Sequence, residues 1–306
     1  MENSTYPYRI NRFLEMQKSW NLEKFHDLLL AYSPEDNLLS DFRQSVMQYV
    51  AKAFYFDITF DELEFMDRLE ANIHIKDNIT PNGAVVPKKE YQLEFNLVLR
   101  SWTKIIQEMT KNNPSLLTKT RMTPNVRIKF GEDPVENVGR GLNTAYPHSD
   151  AWVESSFGIN CYAPIIGDID NNNMDFYQPI NPMEFKDEFL ANAKSYTEMQ
   201  WVLDYYCLNP NLRPHKGKIH FSDFALIHNT SRKPNSRVRV SIDTAIYVGE
   251  HSPHSDRADE YMNDIQIIGE DLFIATTRSI YENQIIDKKT HFSHYTSGTL
   301  KILDCK

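Results

Sequence analysis

The chain has few cysteines, no long apolar run and no cluster of basic residues, and each shortage excludes something. Three cysteines in 306 residues, Cys161, Cys207 and Cys305, are an odd number at scattered positions. They provide neither a disulfide framework nor zinc-ligand spacing, which points to a reducing compartment. No stretch approaches the roughly 20 apolar residues that a bilayer span needs, and the first residues lack the apolar segment of a secretory signal. A net charge of -9 without a polybasic run argues against a surface built for nucleic acid or anionic lipid. The expectation is a cytoplasmic protein with a small-molecule partner, no nucleic acid and no membrane. One barrel with helical additions fits 306 residues, so a single catalytic domain is expected.

The pattern along the chain divides it into parts. Residues 1–120 read as a helical N-terminal region. From Ser40 to Phe54, the residues Phe42, Val46, Tyr49, Val50 and Ala53 recur at helical spacing behind a serine able to cap the first turn. From Lys88 to Thr110, the stripe Tyr91, Phe95, Val98, Trp102, Ile105 and Met109 reads as core packing, and the residues 77–83 between the two helices as a loop. After Thr123-Pro124 the period changes to two. Val126, Ile128 and Phe130 alternate with Arg127 and Lys129, and strand-like segments recur at Gly158–Ile165, Lys218–His228 and Arg237–Val248. In the last of these, Val238, Val240 and Ile242 share one face, and Arg237, Arg239, Ser241 and Asp243 the other. In a barrel that holds a ligand, such a polar face lines the cavity; in an ordinary sandwich it is a surface charge ladder. Cys161 shares a strand face with Ile159 and Ala163, as a packed core thiol, while Asn160 and Tyr162 share the opposite face. The barrel core is expected at 121–250, with an insertion at 167–216 of helical character around Phe189, Ala193 and Tyr196, and a C-terminal extension at 251–306.

Four residues carry the chemistry: His148 and Asp150 in Tyr146-Pro-His-Ser-Asp-Ala-Trp152, then His228, then Arg239 in Arg-Val-Ser241. Two imidazoles and one carboxylate suit one face of an octahedral iron(II) ion and leave three positions open. A helical site would place its ligands at i and i+4. Ligands this far apart instead need a fold that sets an early strand beside a late one, as a double-stranded β-helix does. Arg239 follows His228 by eleven positions, its guanidinium matches a carboxylate, and Ser241 shares its strand face. Arg237 points the same way, so periodicity does not choose between the two arginines. A second copy of the tetrapeptide, Pro253-His254-Ser255-Asp256, is polar, broken by proline and followed by no alternating strand, and reads as a surface turn.

The ordered set Pro147-His148-Ser149-Asp150, Gly158-Ile-Asn160-Cys-Tyr-Ala-Pro164-Ile165, Gly217-Lys-Ile219, His228-Asn-Thr-Ser231 and Arg237-Val-Arg239-Val-Ser241-Ile-Asp243 resembles the iron(II)/2-oxoglutarate-dependent dioxygenases. Within them it is most similar to the phytanoyl-CoA-hydroxylase-like and streptomycin-biosynthesis-type branch. The resemblance covers Arg121 to Val248, less than half of the chain. It implies a mainly β fold with α additions, a double-stranded β-helix (jelly-roll, cupin-like) with a helical N-terminal region. It implies His148, Asp150 and His228 as the catalytic metal ligands for Fe(II), and Arg239, Ser241 and Asn160 as the residues binding the cosubstrate 2-oxoglutarate, with Arg237 in reserve. The implied reaction couples oxidative decarboxylation of 2-oxoglutarate by dioxygen to hydroxylation, or a related C–H oxidation, of a small polar metabolite such as a sugar or sugar nucleotide. Related halogenases lack the carboxylate ligand, so Asp150 favours C–H oxidation without halide. Tyr146, Trp152 and Asn173 are candidates for shaping the pocket. The basic stretch Arg213, His215, Lys216 and His220 reads either as a receptor for an anionic substrate group or as a solvated loop. Two other classes stay open: a cupin-like metal-dependent isomerase or hydrolase without dioxygen chemistry, and a non-catalytic binding barrel.

Overall fold

The computed structural model describes residues 5–75, 77–80, 82–120, 124–131, 142–152, 158–181 and 195–249, with short strand pieces at 263–264, 272–274, 280–281, 284–285 and 302–304. Phe189, Ala193, Cys305 and the second Pro-His-Ser-Asp copy lie outside the described residues.

Four α-helices are described: α1 (Thr5–Trp20), α2 (Asp36–Ala53), α3 (Glu62–Ala71) and α4 (Gln92–Thr110). Helix α2 begins four residues before Ser40, so the serine is not its cap. Asp36 instead places negative charge in the first turn, where the helix dipole favours it. The Asp61 side chain caps α3 by accepting from the Glu64 backbone N–H. A 3-10 turn (Lys89–Tyr91) leads into α4, and the whole expected stripe from Tyr91 to Met109 is buried.

The ten strands up to Val248 form two antiparallel sheets. In the larger, β1 (Glu23–His26), β2 (Leu29–Tyr32), β3 (Leu117–Thr120), β4 (Asn125–Lys129) and β5 (Ile159–Gly167) join later strands. These later strands are β8 (Ile219–Asp223) and β10 (Arg239–Val248), and the order runs β1-β2-β8-β5-β10-β3, with β4 also on β10. The smaller sheet is β6 (Asn172–Pro179), β7 (Tyr206–Leu208) and β9 (His228–Arg232) in the order β7-β6-β9, and His148 adds an antiparallel bridge to His228. Followed along the sequence, β4, the His148 bridge, β5, β6, β7, β8, β9 and β10 cross repeatedly between the sheets. That crossing brings residues far apart in sequence into one interior.

Alternation sorts the strand residues onto two buried faces. Val126, Ile128, Ile159, Cys161, Ala163, Ile219, Phe221, Val240 and Ile242 pack against the helices in one large core with Phe13, Trp20, Phe42, Val46, Phe95 and Trp102. The opposite face looks toward the smaller sheet, where Tyr162 meets Met174, Phe176, Leu212 and Leu226. Each such aromatic or aliphatic side chain removed from water contributes about 1.5–3 kcal/mol. Because both faces are covered, Lys129, Arg239 and Ser241 on the inner one are buried, while Arg127, Asn160 and Asp243 are half-buried.

Three expectations are corrected. Segment 167–216 is not simply an insertion, since it supplies β6 and β7; the helical turns around Tyr196 are a 3-10 helix (Tyr196–Asp204). Lys218–His228 is not one strand, because the chain turns between Asp223 and His228 and changes sheet. Strand β10 starts at Arg239, so Arg237 lies in coil, where the two-residue alternation no longer governs its direction.

Candidate metal centre and anion pocket

His148 and His228 are set side by side by their backbones. Each donates its N–H to the other's carbonyl at 2.9 Å, and the imidazole centroids are 4.4 Å apart. His148 Nδ1 lies 2.8 Å from the Tyr146 carbonyl and His228 Nδ1 lies 3.0 Å from the Leu226 carbonyl. A carbonyl only accepts, so both Nδ1 atoms carry a proton, and in the neutral ring that tautomer leaves Nε2 the lone pair a metal ligand needs. Burial, then the neighbouring His228, holds the His148 pKa well below the usual histidine value, which keeps that ring neutral and able to ligate.

Asp150 opens a 3-10 turn (Asp150–Trp152) directly after His148. Its Oδ2 is 3.6 Å from His228 Nε2 and accepts from Asn160 Nδ2 at 3.0 Å. Ligand atoms of His148, Asp150 and His228 all lie within 4.8 Å of one another, the single such group among the described residues. The donor set is thus two imidazoles and one carboxylate, a set that fits a divalent transition metal such as iron(II). Tyr196 stacks on His148 at 4.3 Å and 19°, and Phe176 lies 5.8 Å from the His228 ring. Gln200 ties the same segment to the Pro147 carbonyl at 2.8 Å.

Arg239 and Ser241 lie on the inner face of β10 and are almost wholly buried, Arg239 at 1 % exposure. Among the described residues Arg239 Nε and Nη1 and Ser241 Oγ have no hydrogen-bond partner of good geometry, and the Tyr162 hydroxyl is the polar group beside both side chains. Buried donors are nearly always paired, so among the described residues this cluster is left short of an acceptor. Burial lowers the Arg239 pKa, while the nearby Tyr162, whose ring centroid is 5.5 Å from Cζ, works against that shift. The charge-ladder reading fails because Asp243 is already satisfied. Arg127 binds it through Nε and Nη2, and Asn125 donates to it at 2.6 Å. Arg237 is likewise spent, on Glu70 and Asp67 of α3 at 2.7 and 2.5 Å. The two arginines that periodicity could not separate therefore have opposite surroundings.

The remaining candidates divide. Asn160 points inward as expected, and its amide is engaged by Asp150. Trp152 is core, packed with Tyr196, Met199, Val202, Tyr206 and Ile227. Asn173 is buried and accepts from the Tyr162 hydroxyl at 3.2 Å, whereas Tyr146 is partly exposed and contributes its carbonyl. The basic stretch does not converge on one point. Arg213 pairs with Asp175 at 3.1 Å, Lys216 pairs with Glu62 at 2.5 Å, and His220 is buried with a pKa pushed down to about 3 by burial and then by His215. Sequence reasoning missed Lys129, a buried lysine directly across from Arg239 in the β4–β10 register. Its alternation with Ile128 was visible, but which face was interior was not. Tyr196 was also missed as a neighbour of the metal ligands, and no local signal marks it.

No family model matches the chain, and no curated protein matches it. Among solved structures it is similar to the non-heme alpha ketoglutarate dependent epimerase SnoN from nogalamycin biosynthesis (10 % identity, 79 % of this chain and 84 % of that one, TM-score 0.41). A second structure of that epimerase, in complex with Fe3+, alpha ketoglutarate and nogalamycin RO, matches at 11 % identity over the same shares with a TM-score of 0.38. AviO1 from Streptomyces viridochromogenes Tue57 matches at 12 % identity, over 83 % of this chain and 100 % of that one, with a TM-score of 0.41.

Proposed function

We propose that this protein is a non-haem iron(II) oxygenase that couples oxidative decarboxylation of 2-oxoglutarate to hydroxylation, or a related C–H oxidation, of a small polar metabolite. The observation that carries this reading is the pairing, in one enclosed interior, of a two-histidine, one-carboxylate group with a buried arginine and serine whose donors are unmet. On this reading the chain is a single catalytic unit built on a double-stranded β-helix, with the helices packed on its outer face.

His148, Asp150 and His228 would hold iron(II) on one side and leave the other open. Iron(II) with 2-oxoglutarate supplies the activation of dioxygen when both are bound. Everything else falls to the chain. Arg239 and Ser241 receive the far carboxylate of 2-oxoglutarate, with Lys129 as a second cation beside them. Asn160 holds the Asp150 carboxylate in the orientation that ligation needs. Tyr196 and Phe176 shield the imidazoles from water. The enclosed polar face, with Asn125, Arg127, Asn160, Tyr162 and Asp243, supports a polar metabolite, and a sugar or sugar nucleotide is the narrower form of that proposal. A metal-dependent isomerase or hydrolase, or a binding barrel without a metal, would need the unpaired Arg239 and Ser241 only for an anionic ligand of its own, and the titration below separates these classes.

The test is an anaerobic titration of the apo-protein with iron(II) and 2-oxoglutarate, following the visible metal-to-ligand charge-transfer band. The band is expected in the wild type, absent in Asp150→Ala and weakened in Arg239→Ala. Iron bound without a band would move the assignment to a non-oxygenase metal enzyme, and no iron bound would favour the binding barrel. Succinate release in a metabolite screen then identifies the substrate.

A further inference from the structure

The metal ligands rest on a short turn, and that turn is anchored from the far end of the chain. Between β8 and β9, residues 223–227 carry contacts to both arms of the site. The Phe224 carbonyl accepts from Ser149 Oγ at 2.7 Å and from the Ala151 N–H at 3.1 Å, gripping the segment that holds His148 and Asp150 on either side of Asp150. The Leu226 carbonyl accepts from His228 Nδ1 and fixes that ring. The turn itself is closed by Asp223, whose Oδ1 accepts from the Ala225 N–H at 2.8 Å and whose carbonyl accepts from the Leu226 N–H at 2.9 Å.

Asp223 is fully buried and faces two arginines of α1. Arg9 Nη1 lies 2.5 Å from Oδ1 and Arg12 Nη2 lies 3.1 Å from Oδ2. Three residues apart, the two arginines share one face of the helix and close on both oxygens of one carboxylate. A buried carboxylate so held has little freedom to rotate, and neither has the turn whose N–H groups it and its own backbone bind.

We propose that Arg9 and Arg12 are positioning residues of the metal centre, acting through Asp223 and the 223–227 turn on His228, Ser149 and Ala151. Helix α1 is then part of the site's support and not only a cover for the sheet. The inference rests on the metal reading above.

The test is a titration of the full-length apo-protein with Co(II), reading affinity and the visible ligand-field bands of the bound ion. In Arg9→Gln the Co(II) dissociation constant is expected to rise about tenfold, the low end of the range typical of residues that orient ligands from behind, and in Arg12→Gln, whose contact is longer, about threefold. The bands should shift in both variants, and Arg9→Lys should restore most of the affinity. Val46→Ala is the control: it opens a cavity in the helical core, away from the turn, and should lower the melting temperature while leaving the dissociation constant within about twofold of wild type. Arginine variants that bind cobalt with wild-type affinity and bands overturn the inference while the metal reading stands. If Arg9→Gln does not fold, folded Arg12→Gln decides by the same criterion. A wild-type protein that binds no cobalt overturns the metal reading itself, and this inference with it.

Discussion

Replacing Arg239 with methionine is expected to stabilise the ligand-free protein and at the same time to remove its hold on 2-oxoglutarate. Two of the Arg239 donors are buried without a partner. Each unmet buried donor costs about 1–3 kcal/mol, and methionine keeps the apolar stem while deleting both donors. Some of that gain is lost with the contact to the Tyr162 ring, so a net stabilisation of about 1–2 kcal/mol is expected. At this chain length that is a rise of roughly 1.5 °C in melting temperature per kcal/mol. Binding should move the other way. Truncating one partner of a buried charge pair costs about 2–5 kcal/mol, so the dissociation constant for 2-oxoglutarate should rise at least about thirtyfold. The assay is anaerobic thermal unfolding with Mn(II), with and without 2-oxoglutarate at about 100 times the wild-type dissociation constant. Ligand then adds about 2.7 kcal/mol to the wild type and no more than about 0.9 kcal/mol to the variant. Arg237→Met, which loses surface pairs worth about 0–1 kcal/mol, should keep the full ligand increment. A ligand-free Arg239→Met protein that is several kcal/mol less stable than wild type would refute the reasoning, because the guanidinium would then be a structural element.

Two further outcomes are expected. In Gly158→Ala the new Cβ would lie 2.3 Å from the Phe224 ring, so the ring and its carbonyl must shift; a loss of about 1–3 kcal/mol in denaturant melts is expected, together with weaker Co(II) binding. Unchanged stability and affinity would show that the 223–227 turn tolerates displacement. His220 has a folded pKa of about 3, below the unfolded value of about 6.5, so its contribution is intact above pH 6.5 and is lost as pH falls and the unfolded chain takes up the proton. Between pH 7 and pH 5 that is about 2 kcal/mol, and His220→Gln should lose less stability over this interval by that amount; identical pH dependence in the two proteins counts against the buried neutral histidine.

The grouping of His148, Asp150 and His228 was legible because a His-x-Asp, a distal histidine and an Arg-x-Ser stand in order on or beside strand-like segments. The fold that groups them was readable only in outline. Alternation announced β4, β5 and β10, but β6 and β7 were hidden in a polar stretch that reads as an insertion. Strands β8 and β9 merged because one buried run, Phe224–Ile227, joins them without a glycine or proline. Helix α1 escaped notice because Arg9 and Arg12 interrupt the apolar face formed by Phe13, Met16 and Trp20, and their partner, Asp223, lies 214 and 211 residues away.

That last gap and the ambiguity between Arg237 and Arg239 have one physical origin. A charged residue on an otherwise apolar or alternating face has three fates: it reaches water, it meets a counter-ion, or it waits for one. Sequence pattern does not distinguish them, because the counter-ion can come from any part of the chain or from outside it. In this protein the second and third both occur. Arg237 meets Glu70 and Asp67 at the surface, Arg9 and Arg12 meet Asp223 in the interior, and Arg239 meets no acid although it is equally buried. An unpaired buried cation is a standing cost to the fold, and on the proposed function the missing carboxylate comes from the bound cosubstrate. Supplying that carboxylate in trans, and finding that the protein becomes more stable only when Arg239 is present, is the outcome this reasoning requires.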